Sequence, residues 1–253
     1  MDSANHNIVL VTPVFHDAHR LSVFGPELAR ALAQSPLSIL WVVADDGSGE
    51  KEEARVQALV NLFREVHPDT VFHTEGKHLG KGGAIRGAWR RYPEARWLAF
   101  ADADGAVGAE DILKLIEKAV EAGPGHAVLG SRDVEEGTKV VQGPLRKIIH
   151  ETFAFLERLI LGLRVLDPQC GAKVVDGAAF HDAAPQLKED GFDFDPELLT
   201  ALDKRGVTFI ETAVNWTEKG GGTVNPFKVA LPMLIALFRI RARRAAGHYD
   251  PSS

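Results

Sequence analysis

Short apolar runs alternate with amphipathic stretches along the first half of the chain. Ile8–Thr12 is apolar and ends at Pro13, which predicts a buried strand. Leu37–Ala44 is a second such run, stopped by Asp45-Asp46-Gly47-Ser48, and Thr70–Thr74, Arg96–Ala101 and Ala127–Gly130 predict three more. Between them the spacing becomes helical: Ser22–Gln34, Glu50–Val66 with Val56, Leu59, Val60 and Phe63 on one face, Gly83–Arg91, and Glu110–Glu121. This alternation predicts an α/β fold, a mostly parallel central sheet with helices on both faces. Sheets of this kind take ligands beyond the carboxyl ends of their strands. The polar punctuation falls there: Pro13, Asp45-Asp46 and Asp102-Ala103-Asp104.

The second half is less regular. Asp133–Gly143 is polar and contains glycine, so a mobile loop is expected. Pro144–Leu163 predicts a long helix with a strong apolar face, Val174-Val175 and Val207–Val214 further strands, and Pro196–Lys204 a helix between them. Asn225–Arg244 predicts a last helix. Phe227, Leu231, Leu234, Ile235 and Phe238 fall broadly on one side of it, and Arg239, Arg241, Arg243 and Arg244 cluster at its end. That composition suits a helix lying on anionic lipid, and equally one packed on the domain with a solvated basic end. No linker divides the chain. One domain is expected over residues 1–245, with a nucleotide-binding half at about 7–105, an acceptor half at about 106–225, a basic helix at about 226–245 and a disordered tail over 246–253.

Composition narrows the function classes. With 253 residues, 45% apolar and 25% charged, the chain can bury a core without staples. A net charge of −6 argues against a nucleic-acid partner. The single cysteine, Cys170, cannot form an internal disulfide, so a cytoplasmic setting is expected. The polar start and the lack of a run of about 20 apolar residues argue against a leader or a spanning helix. The protein is therefore expected to be soluble, or at most peripheral at the inner face of the membrane.

Asp102 and Asp104 lie two apart on an extended chain, so they point to one side and can converge on a hard cation, Mg²⁺ or Mn²⁺. Such an ion would bridge diphosphate oxygens of a nucleotide. Without a ligand the same residues read as a polar strand end. His78-Leu79-Gly80-Lys81-Gly82-Gly83-Ala84-Ile85-Arg86 lacks the Ser or Thr of a Walker loop. Its glycines still let the backbone approach a ligand, the amides of the following helix start favour an anion, and Lys81 and Arg86 add charge. A flexible surface turn is the plainer reading. A carboxylate of Asp45-Asp46 could accept from a base N–H or a ribose hydroxyl, or simply cap the next helix. Arg132 and Arg146 offer planar forks for phosphate. In Phe194-Asp195-Pro196-Glu197 the carboxylates precede a helical pattern, so they read as a cap or as a catalytic or acceptor-binding group.

Taken in order, Thr12-Pro13, Asp45-Asp46-Gly47-Ser48, Gly80-Lys81-Gly82-Gly83-Ala84, Asp102-Ala103-Asp104, Gly130-Ser131-Arg132 and Asp195-Pro196-Glu197-Leu198 resemble glycosyltransferase family 2, with its GT-A (Rossmann-like) fold. Asp102-Ala103-Asp104-Gly105-Ala106, Asp167-Pro168-Gln169-Cys170-Gly171-Ala172-Lys173 and Phe194-Asp195-x-Glu197 look most like the polyprenyl-phosphate sugar transferases of that family. The resemblance implies a metal-dependent, inverting hexose transfer from a nucleotide diphosphate sugar, UDP-glucose or GDP-mannose, to a polyprenyl phosphate. It implies that Asp45 or Asp46 holds the base, that Lys81 lies near the nucleotide, and that Arg132 and Arg146 flank the acceptor phosphate. Pro13, Gly82, Arg86, Asp102 and Asp104 complete the expected donor site. If the acceptor is instead a sugar or small alcohol, a base is needed and Asp195 is the candidate. A sugar-phosphate nucleotidyltransferase would carry a Gly-rich basic loop after the first strand, where this chain has Pro13-Val14-Phe15-His16. A non-catalytic nucleotide-sugar-binding protein need not keep two metal carboxylates.

Overall fold

The computed structural model describes residues 6–134, 139–141, 143–219 and 226–251, with the side chains at 144–146, 148 and 226–229 left outside that description. The apolar runs become β1 (Ile8–Val14), β2 (Ile39–Asp45), β3 (Thr70–Thr74), β4 (Trp97–Ala101) and β5 (His126–Ser131). The amphipathic stretches between them become α1 (Ala18–Gln34), α2 (Glu50–Arg64), α3 (Lys81–Trp89) and α4 (Ala109–Ala122). Downstream lie β6 (Val140–Val141), α5 (Pro144–Leu161), β7 (Ala172–Asp176), α6 (Gly177–Ala183), α7 (Phe194–Asp203), β8 (Thr208–Ala213), β9 (Trp216–Thr217) and α8 (Pro226–Ala245).

Seven strands form one sheet in the order β3-β2-β1-β4-β7-β5-β8. All neighbours run parallel except β7, which is antiparallel to both β4 and β5. The period of two along each strand sorts side chains to two cores. Leu10, Trp41 and Val43 face Phe24, Leu28, Val56 and Ile112 of α1, α2 and α4. Val9, Val11 and Val42 face Ile85, Trp89, Phe180, Leu198 and Leu237 of α3, α6, α7 and α8. β1 sits between β2 and β4, so the chain leaves it in both directions across the sheet. That reversal opens a crevice at the carboxyl ends of β1, β2 and β4.

Two expectations need correction. α1 starts at Ala18 rather than Ser22, because Glu52 Oε1 accepts from the Ala18 amide at 3.1 Å and Leu21 N–H reaches Asp17 O. The tail after Ala245 is ordered as far as Pro251. Tyr249 is fully buried, its hydroxyl donates to Glu197 Oε1 at 2.7 Å, and its carbonyl accepts from Arg205. Apolar burial and two hydrogen bonds outweigh the polar sequence around it. The expected loop at Asp133–Gly143 falls partly outside the described residues, as does Asn225 at the start of the last helix.

Candidate active site

Asp102 is the first residue past β4, and its amide donates to Gly171 O at 2.9 Å. A Cβ on Gly171 would come within 2.1 Å of Asp102 Oδ2, so this glycine makes room for the carboxylate. Asp102 Oδ1 lies 2.8 Å from Lys81 Nζ. Lys81 Nζ is 3.7 Å from Asp195 Oδ2, and Lys173 Nζ is 2.7 Å from Asp195 Oδ1. Four charges of alternating sign thus run from the strand end into the sheet: Asp102, Lys81, Asp195, Lys173. Both ammonium groups also lie over the Phe100 ring. Burial opposes the charge on Lys81, but Asp102 and Asp195 outweigh it and hold its pKa above the usual lysine range. Desolvation raises the Asp102 carboxyl, Asp104 and Asp195 add to that, and Lys81 opposes it.

Asp104 lies two residues on. Its Oδ1 accepts from the Ala106 amide at 2.9 Å, and Arg20 lies 3.3 Å from its Oδ2. Asp102 and Asp104 are half-buried oxygen donors paired with Lys81 and Arg20, cations they share with Asp195 and Asp17. That donor set fits a hard divalent cation that draws its remaining ligands from diphosphate oxygens and water. A separate group of ligand-type atoms, Asp133, His150 and Asp167, converges within 4.8 Å. There Arg132 already occupies the place of a cation, with Nε 2.7 Å from Asp167 Oδ2, one terminal nitrogen 2.8 Å from Oδ1, and that nitrogen 3.1 Å from His150 Nδ1.

The adjacent aspartates after β2 are divided in use. Both oxygens of Asp46 accept from the Leu79 and Gly80 amides, and His78 Nδ1 lies 2.9 Å from Oδ2. Asp46 therefore pins the Gly/Lys loop. Asp45 Oδ2 accepts from the Ser48 amide, while its buried Oδ1 has no hydrogen-bond partner among the described residues. Phe15 stacks on His78 at 4.0 Å between ring centroids and walls this corner. Pro13 pairs in register with Ala44 at the end of β1.

The structure does not bring every expected residue to this crevice. Arg86 points to Asp190 and to the carbonyls of Leu187 and Glu189. Gly82 packs on α7, where an added Cβ would come within 2.1 Å of Phe194 Cβ. The expected anion site at the start of α3 is corrected: the Gly82 and Gly83 amides donate to Gly191 O and Asp190 O. The Arg146 side chain lies outside the described residues. Asp195 and Glu197 both sit in the first turn of α7 but face apart. Asp195 joins the two lysines, and Glu197 accepts from the Lys188 and Glu189 amides and from Tyr249.

Sequence reasoning assigned no part to Lys173, Asp167, His150 or Glu157. Lys173 and Asp167 stand in the Asp167–Lys173 segment, and a lysine inside the apolar run Ala172–Asp176 was the available signal. Glu157 is fully buried on α5. Burial pushes its carboxyl up to about 8, against a hydrogen bond from Gln169 at 2.5 Å. Nearby Asp195 adds to that shift.

Residues 11–182 match the profile of Glycosyl transferase family 2. The chain belongs to this family. It is 30% identical over 258 residues to a Homo sapiens protein named dolichyl-phosphate beta-glucosyltransferase, covering 97% of this chain and 78% of that one. It is 28% identical to a Drosophila melanogaster protein of the same name over 263 residues, 100% of this chain and 79% of the other. Among solved structures it is similar in fold to glucosyl-3-phosphoglycerate synthase from Mycobacterium tuberculosis in complex with Mg²⁺ and uridine diphosphate. That match has a TM-score of 0.66 at 15% identity, over 99% of this chain and 82% of the other. The family, the GT-A arrangement and a hexosyltransferase class read from the sequence motifs are thereby borne out.

Proposed function

We propose that this enzyme transfers glucose from UDP-glucose to a polyprenyl phosphate with inversion at the anomeric carbon. The observation that carries the reading is the match, over nearly the whole chain, to relatives named dolichyl-phosphate beta-glucosyltransferase. The crevice chemistry supports it. Asp45 offers one unengaged oxygen, which suits the single imide N–H of uracil. The other Asp45 oxygen accepts from the Ser48 amide. Lys81 reaches the strand end where a diphosphate would lie. When bound at Asp102 and Asp104, a divalent cation, Mg²⁺ or Mn²⁺, supplies positive charge to the departing diphosphate.

The acceptor reading rests on charge. A phosphate oxygen is already anionic, so it attacks the sugar carbon without a base, forming a new C–O bond as the bond to UDP breaks on the opposite face. Asp195 would be the base for a hydroxyl acceptor, yet it is almost fully buried and has a lysine ammonium beside each oxygen. Arg132, held beside His150, is the proposed acceptor-phosphate ligand, and Arg146 is proposed to share that role. In this reading one domain carries both halves of the site and works on the cytoplasmic side of a membrane.

The test is radiolabelled glucose transfer from UDP-glucose to a short-chain polyprenyl phosphate, beside GDP-mannose and a panel of sugars and alcohols. Turnover is expected with UDP-glucose and the lipid phosphate in the presence of Mg²⁺ or Mn²⁺. Asp104→Ala should lower that rate on the order of 10²–10³-fold while the protein still melts as the wild type does. Transfer confined to hydroxyl acceptors would overturn the reading.

A further inference from the structure

α5 and α8 lie side by side, and the Arg241 guanidinium donates to Ile160 O across their seam at 2.6 Å. Each helix buries one side in the core: Ala154, Glu157 and Ile160 on α5, and Ala236, Leu237 and Ile240 on α8. Each leaves large apolar side chains outside. On α5 these are Phe155, 57% exposed, and Leu159, 64% exposed, one turn apart. On α8 they are Leu231 at 65%, Ile235 at 50% and Phe238 at 56%. Their spacing of four and then three places all three on one stripe. Single exposed apolar residues need no explanation, but five on two adjoining helices form a patch.

The charge around this patch is mostly positive, with Glu151, one turn before Phe155, paired to Lys147. α8 carries Lys228, Arg239, Arg241, Arg243 and Arg244 and no acidic residue, on a chain whose net charge is −6. Arg243 and Arg244 turn inward to Glu189, Glu197 and Asp203. Arg239 pairs with Glu189 and Asp193 but stays 49% exposed. Arg158 and Arg241 donate to the neutral carbonyls of Ala154 and Ile160, so these bonds leave their positive charge uncancelled.

We propose that this face of α5 and α8 seats on an anionic bilayer, with Phe155, Leu159, Leu231, Ile235 and Phe238 entering the interface and Arg158, Arg239 and Arg241 meeting lipid phosphates. The occupant is chosen by the pairing of apolar side chains with uncancelled positive charge and by continuity with the site. His150, which contacts Arg132, stands on the same α5 about 14 Å before Leu159 at 1.5 Å per residue. A lipid phosphate held at Arg132 can therefore keep its tail in the bilayer on which the helix rests. This surface deepens the proposed acceptor reading and rests on it. Among the described residues no helix is long and apolar enough to cross a membrane.

Flotation of the full chain with vesicles tests it. The wild type should float with phosphatidylglycerol-containing vesicles at low salt. Binding should be weaker by about tenfold or more with pure phosphatidylcholine or at high salt. The double variant Ile235→Asp/Phe238→Asp, and independently Leu159→Asp, should lose binding by at least about tenfold. Both should keep transfer to a short, water-soluble prenyl phosphate. Flotation without any such transfer would remove the acceptor reading and leave the membrane seat standing. A wild type that stays in solution with every vesicle overturns the proposal. So does a wild-type dimer that Phe238→Asp converts to monomers without changing flotation, because the face would then belong to a second copy of the chain.

Discussion

Glu157 holds a carboxyl group where no solvent reaches it, and one of its oxygens, Oε2, has no hydrogen-bond partner among the described residues. Burial pushes its pKa from an ordinary 4.5 up to about 8, so the folded protein keeps a proton there that the unfolded chain releases. Between those values the folded state binds more protons than the unfolded one. Its contribution to stability is fully present below about pH 4.5 and declines as pH rises towards 8. The loss is on the order of a few kcal/mol. Glu157→Gln keeps the shape without the ionisation. Melting temperatures from pH 5 to pH 9 should therefore fall less steeply for the variant, and the variant should be the more stable protein at the alkaline end. Parallel curves would show that Glu157 does not titrate in this window. Asp45 and Asp46 show why such details are hard to read from a sequence. Their identities marked the corner, but which one pins the Gly80 loop and which keeps an oxygen unengaged depends on amides contributed from another strand's end.

The elements themselves were largely legible. Apolar runs of strand length between amphipathic stretches carry the β1-to-β5 pattern, most plainly at β2 and β4, which are covered on both faces and buried at every residue. The glycines of the α3 loop were legible as close approaches, but what they approach is α7 and the 190–191 carbonyls, long-range partners that no local pattern encodes. The carboxyl-terminal segment was misread for the same reason. Tyr249 is one apolar position with no period around it, and its partner Glu197 lies 52 residues earlier. A hydrogen bond to a buried carboxylate contributes roughly 1.5–3 kcal/mol. Tyr249→Phe should lower the melting temperature by roughly 3–12 °C, read by circular dichroism. An unchanged melt would mean that the tail does not dock on α7.

Across the whole molecule, the residues proposed for the donor and for the acceptor hang on different parts of one sheet. Asp45 ends β2, Asp102 follows β4, and Arg132 follows β5. The distance between those sets was not legible, because sequence order does not reveal that β7 lies between β4 and β5. That placement also shapes how the chain folds. A strand synthesised after residue 171 must enter between strands completed by residue 131. Until it does, β4 and β5 present two unpaired edges to each other and to any neighbouring chain. Insertion also carries Lys173 into the interior, and its counter-charge Asp195 arrives still later, on α7. The middle of the sheet therefore closes late, a long-range step of the kind that slows folding and exposes nascent edges. Pulse-labelled hydrogen exchange during refolding should find the Val174 and Val175 amides protected after those of Val9 and Val42.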